Sequence, residues 1–305
     1  MTTSTPDQPT PAQTLATEAE GRTNASLAAW GAGFLTILGA VLAGVGISGL
    51  PNYDDRVVTI VDALGKLASD QAVPPGRLSA QVQWLGDNAT MPMAGAVLVS
   101  LGSLLIFVPL AYMYRATKAR NPQLTSAVVI LGAIGCAGFA IGRGASELAR
   151  YSGAIGFDGG DNSQALEALT PPAYAIGQII MLVSSFAFGF SLVLLSMNAM
   201  RAGLLTRFMG VLGVIVGATF VLPLDQQGII RSFWLVALGF LIAGRWPNGA
   251  PPAWETGEAQ PWPSGAQARS QRAAASLPLP STPAPVPPAA GDLTPGQRRK
   301  KRKKK

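Results

Sequence analysis

Two arginines stand at the ends of long apolar stretches, Arg143 and Arg231, and a charge near a membrane interior is a functional candidate by default. Arg143 could bind an anion or a lipid head group. The competing reading, which the spacing favours for both, is an arginine that snorkels to the interface or pairs with Glu147 or Asp225. No Asp or Glu falls mid-stretch, which argues against a carboxylate-based proton or sodium relay. The stretch around 173–198 carries Gln178, Ser184, Ser185, Ser191 and Asn198. With Ser100 and Ser103 these could line a narrow polar pathway, and hydrogen bonding between helices explains them as well.

Small residues recur at intervals of four: Gly138 with Gly142, Gly213 with Gly217, Gly39 with Ala43, and Ala40 with Gly44. This spacing lets helix backbones approach closely, either between two copies of the chain or, as the frequency of glycine favours, within one bundle. The run Asp158-Gly159-Gly160-Asp161-Asn162 lacks the alternating ligands of a calcium loop and reads as a turn before a helix starting at Ser163. There is no histidine, and Cys136 is the one cysteine. Imidazole catalysis, His-ligated metals, disulfides within the chain and Cys-rich metal sites are therefore excluded. No phosphate-binding loop, dinucleotide fingerprint or nucleophile elbow occurs, so neither a cofactor nor an enzymatic activity is expected.

The elements that must position these residues are helices in a membrane. Charged residues are 13% of the 305 and apolar ones 49%. Six stretches approach or exceed the ~20 apolar residues that span a hydrocarbon core: about 27–50, 92–114, 124–143, 173–198, 205–223 and 228–245. The expected fold is all-α, a polytopic transmembrane bundle of about six spans, the last two short. Arg115, Lys118 and Arg120 follow the second span and Arg201 and Arg207 the fourth, without an acid, whereas ten of the 16 acidic residues lie in the other connections. The positive-inside rule then places both termini in the cytoplasm and the chain in the plasma membrane. In the outer connection 51–91, Val57, Ile60, Val61, Leu64 and Leu67 predict an amphipathic helix, and Leu78, Val82, Trp84 and Leu85 a second short one.

Residues 1–26 are rich in Thr, Pro, Ser and Ala and read as a disordered tail that is not a cleavable signal peptide. Residues 246–305 read as a disordered Pro/Ala-rich tail. It ends in Arg298, Arg299, Lys300, Lys301, Arg302, Lys303, Lys304 and Lys305. These eight account for the net charge of +7, since the other 15 basic residues face 16 acidic ones. Each cation near an anionic surface contributes about 1 kcal/mol, so membrane lipid is the expected partner of this end. A membrane-protein partner or a second copy is possible elsewhere, and nucleic acid is not expected.

The stretch from Leu204 through Gly244-Arg245-Trp246-Pro247 and Pro251-Pro252-Ala253-Trp254-Glu255 resembles a group of uncharacterised polytopic membrane proteins of actinobacteria. The resemblance covers roughly 170–265 and the Pro/Ala linker with its Lys/Arg run. It implies location and architecture alone. The expected role is a non-enzymatic scaffold or accessory subunit, with a small-molecule transporter or channel using the polar fourth span as the alternative.

Overall fold

The computed structural model describes residues 10–48, 60–71, 76–222, 224–225, 227–247 and 249–261. Among them the chain is helical throughout, with no strand. The helices are α1 (Pro11–Ile47), α2 (Ile60–Ala68), α3 (Arg77–Asp87), α4 (Thr90–Leu105), α5 (Phe107–Arg120) and α6 (Ala127–Ile155). They continue as α7 (Asn162–Leu169), α8 (Pro172–Arg201), α9 (Arg207–Val221), α10 (Ile229–Ile242) and α11 (Ala253–Thr256). Four spans are long and apolar enough to cross a membrane: α1, the 31-residue run Thr90–Arg120, α6 and α8. The last two expected spans are shorter apolar helices, α9 with 15 residues and α10 with 14, or about 21–22 Å each at 1.5 Å per residue.

Ile106 alone separates α4 from α5. Pro109 explains the break, because its ring opposes the carbonyl four residues back, at Leu105, and it has no N–H to donate there. Six helices close a ring in the order α1, α4, α6, α8, α9, α10. Beyond the break α5 contacts α1, α6 and α8 and so fills the centre of one half of the ring. Its Leu110 and Met113 lie in the main core with Phe188, Leu192, Trp234 and Leu235.

Small residues set the ring's spacing. Along the antiparallel α6–α8 pair, Gly132 meets Ser191, Gly135 meets Phe188, Gly138 meets Ser184 and Gly142 meets Gly177. A β-carbon on Gly142 would lie 2.7 Å from the Gly177 carbonyl oxygen, and one on Gly177 2.8 Å from that of Gly142. Gly217 meets Gly189 and Gly213 meets Ser196 between α8 and α9, and Gly39 meets Gly95 between α1 and α4. Both glycine pairs singled out from the sequence thus serve packing within one chain. Gly44, by contrast, has open space around it.

Two expectations of disorder are corrected. Residues 11–26 are the first four turns of the 37-residue α1, started by Thr10 and Gln13 in a reciprocal capping box with Pro11 at the first helical position. The buried positions there, Thr14, Glu18, Ala25 and Ser26, are small or polar, so hydrophobic periodicity did not reveal them. Residues 249–261 pack onto the bundle, with Ala253 0% and Trp254 5% exposed. Residues 1–9 and 262–305, including the cationic end, lie outside the described residues.

Outside the ring, α3 and α7 close over the far end of α6, where Val82 and Leu85 bury against Tyr151, Ala154 and Ala165. Trp84 packs against that cluster. The helix α2 forms over Ile60–Ala68 with Ile60, Val61, Leu64 and Leu67 all exposed, and Val57 of the predicted stripe lies outside the described residues. Asp161 caps α7, accepting from the amides of Ser163 and Gln164 at 2.9 Å each, so the Gly-rich run is a capped turn with the helix beginning at Asn162.

Gly142→Ala forces a methyl onto the backbone of α8 and should destabilise the fold by about 1–3 kcal/mol. Gly44→Ala should be neutral or slightly stabilising. Thermal unfolding of both variants in a neutral detergent checks the pair, and equal midpoints would refute the close-packing account.

Candidate functional site

The ring's second half, on the far side of the Ile106 break, has no central helix. A cavity of about 560 Å³ occupies that space, lined from all six ring helices. Its α1–α4 wall is small and apolar, with Gly39, Ala43, Gly95 and Ala96, and its polar groups come from α6, α8, the α9–α10 turn and the start of α10. The charged side chains lining it are Arg143, Glu147, Arg150, Asp225 and Arg231, joined by Tyr151 and Gln178.

The turn before α10 organises this site. The Asp225 carboxylate accepts from the backbone amide of Arg231 at 2.9 Å and of Ile230 at 3.3 Å, satisfying the start of α10. The turn needs Gly228 at φ +71°, where a β-carbon would lie 2.5 Å from Arg231 Nη2 and 2.6 Å from Thr36 Cγ2. Arg231 is consequently drawn in: it is 6% exposed. Its guanidinium carbon sits 5.0 Å from the Phe220 ring centre and 5.7 Å from that of Phe139. These aromatic faces stabilise the cation without using its N–H donors. The Arg231 Nε is buried without a hydrogen-bond partner, and so is the Arg143 Nε. The expected Asp225 pairing goes to the backbone of Arg231 instead of its side chain. No ion pair within 4 Å joins Arg143 to Glu147, although both face the cavity.

At the opposite end of the bundle a buried arginine uses both of its terminal nitrogens, although its Nε too is without a partner. Arg120 forms a bidentate ion pair with Glu18, through Nη1 to Oε1 and through Nη2 to Oε2 at 3.1 Å. It also donates to the carbonyls of Ala116 at 3.0 Å and Ala253 at 2.6 Å. Trp254 lies beneath its guanidinium at 5.7 Å and stacks on Tyr112 at 5.8 Å with 5° between the planes. The Trp254 indole donates to Leu204 O at 2.8 Å and the Tyr112 hydroxyl to Glu18 O at 3.1 Å. One cluster therefore ties α1, α5, the α8–α9 connection and the segment around α11 together.

The polar residues of α8 do not form one pathway. Gln178 lines the cavity. Ser184 is buried against Gly138 in the α6–α8 contact. Asn198 lies near the Arg120 end, accepting from Asn121 Nδ2 at 3.1 Å and donating to Leu194 O at 2.8 Å. Twenty residues of helix separate Gln178 from Asn198, about 30 Å. Ser191 donates to Val128 O at 2.7 Å across the helix pair, and Ser103 and Ser185 donate back to their own helices. Cys136 is buried in the core, and no group of three Cys, Asp or Glu side chains suited to a metal occurs among the described residues. The sequence singled out Arg143, Arg231 and Gln178 separately. Their convergence, and the part of Arg120 and Glu18, depended on the approach of residues 35 to 102 positions apart, for which one chain's pattern carries no signal.

Comparison of the chain with protein-family models, with curated proteins and with solved structures returns no match.

Replacing Arg120 with Ala leaves the Glu18 carboxylate buried without its partner and should cost about 3–5 kcal/mol in denaturant unfolding. Glu18→Gln combined with Arg120→Met should cost clearly less than Arg120→Ala alone. A double variant as unstable as the single one would show that the ion pair is not what holds this end.

Proposed function

We propose that this chain is a non-enzymatic integral membrane protein, a scaffold or accessory subunit that presents its cationic carboxy-terminal segment at the cytoplasmic face of the plasma membrane. The observation that carries this reading is the Arg120 cluster, which holds the amino-terminal part of α1 and the segment around α11 at the same end of the bundle. The basic residues of the connections, Arg115, Lys118, Arg201 and Arg207, belong to the same end of their helices, in keeping with a cytoplasmic face.

The short helices α9 and α10 run antiparallel, with Trp234 of α10 donating to Met209 O near the start of α9 and Arg231 against Phe220 near its end. Such a pair returns the chain to the side it left, whether it crosses completely or enters and leaves from one side. The described chain then begins and ends on one side in either case, and full crossing makes six spans. The exposed apolar stripe of α2 suits a helix resting on the outer membrane surface.

Eight cations contributing about 1 kcal/mol each at low salt are enough to hold the tail on anionic lipid. Full-length protein in nanodiscs of zwitterionic lipid should bind vesicles containing anionic lipid, more weakly as salt rises. The chain lacking 298–305 should bind them at least tenfold more weakly. Equal binding by the two chains would overturn the proposed role of the tail, and an extracytoplasmic reporter fused after Lys305 would overturn the orientation.

A further inference from the structure

Among the described residues two arginines are deeply buried, and they are treated differently. Arg120 meets both oxygens of a carboxylate and two backbone carbonyls. Arg231, 6% exposed, meets two aromatic rings and no acceptor among the described residues, and it lines the cavity. A buried cation whose donors remain unused carries a large desolvation cost that a bound anion would offset. The neighbouring charges reinforce the point. Arg143 and Arg150 add two positive charges at the same cavity, against Glu147 and Asp225. Three guanidinium groups thus face two carboxylates, and Asp225, while keeping its charge, gives its oxygens to two backbone amides rather than to a guanidinium.

The remaining walls specify what accompanies the anion. Ala43, Pro92, Val99 and Met181 form an apolar surface within the same cavity. That surface continues onto Ile47, 42% exposed on α1, and Leu182, 57% exposed on α8, apolar residues on the outside of membrane-length helices. A cavity of about 560 Å³ falls within the ~300–1,000 Å³ of small-molecule sites. We infer that this cavity binds an amphiphile with an anionic head: Arg231 and Arg143 take the head, Gln178 and Tyr151 stand beside it, and the alkyl chain follows the apolar wall toward the lipid. The fixed aromatic bed of Arg231 keeps the guanidinium in place before binding, so little ordering is required when the anion arrives.

Dodecyl phosphate titrated calorimetrically into the full chain in nanodiscs of zwitterionic lipid, with empty nanodiscs as baseline, tests the site. Saturable binding at one site per chain is expected, weakened at least tenfold by Arg231→Gln and also weakened by Arg143→Gln, with partial recovery in Arg231→Lys. If Arg231→Gln does not fold, Arg143→Gln and Arg231→Lys decide the result. The chain lacking 298–305 should bind equally well, because the cationic tail is not this site. Absence of saturable binding, binding unchanged in the arginine variants, or binding lost with the tail would overturn the proposal. Inorganic phosphate provides the remaining arm: binding as tight as that of dodecyl phosphate would assign the cavity to a free anion and refute the amphiphile.

Discussion

A guanidinium removed from water must be surrounded by acceptors or by π-faces, and this requirement at Arg120 organises one entire end of the protein. Its acceptors come from α1, from its own helix and from the residue that begins α11, and its aromatic bed is Trp254. No single segment could provide them. The stretch 249–261 after the last apolar helix holds its place by the Trp254 indole, the Ala253 carbonyl and the Gln260 amide on the Ala202 carbonyl, without a continuous hydrophobic face. The first four turns of α1 likewise stay helical above the apolar stretch because Glu18 is needed where Arg120 ends.

The opposite half of the ring obeys the same physics with a different result. Small residues at the crossings of α1 with α4 and of α6 with α8 bring backbones into contact, where packing and interhelical hydrogen bonds hold helices together in lipid. Small residues also leave volume on the inner side of the ring. In the half containing α5, Leu110, Met113, Phe188 and Trp234 fill that volume. On the α4 side of Ile106 the filling stops, because Pro109 ends the straight course of the span and α4 stays in the ring wall. The cavity and the close helix contacts are two consequences of one choice of residue size. Arg231 projects into the remaining space because Gly228 and Asp225 turn the chain sharply at the start of α10.

Legibility in the sequence followed the strength of the local signal. Long apolar runs located α4–α5 and α8 within about six residues, since a lipid-facing helix advertises itself on every side, whereas α6 runs twelve residues past the expected end at 143, to Ile155. The capped turn at Asp161 and the stripe of α2 were readable for the same local reason. The amino-terminal part of α1 was hidden because its buried positions are Thr, Glu and Ala, which look like a solvated tail. Only the capping box Thr10-Pro11-Ala12-Gln13 marks its start. Trp254 was hidden by proline and alanine around it. The polar residues of α8 were visible as residue types, but not their dispersal over about 30 Å of helix.

The sequence by itself determined the environment, the helical class, the absence of imidazole chemistry and the segregation of charge, because each depends on composition and on patterns a few residues long. The tertiary structure alone decided which glycines meet which backbones, that the Arg120 side chain meets four acceptors while that of Arg231 meets none among the described residues, and that three distant polar residues converge on one cavity. Those outcomes arise between helices far apart in the chain. They are set by where each helix bends or is capped, and by which side chains are too small to fill the space between them.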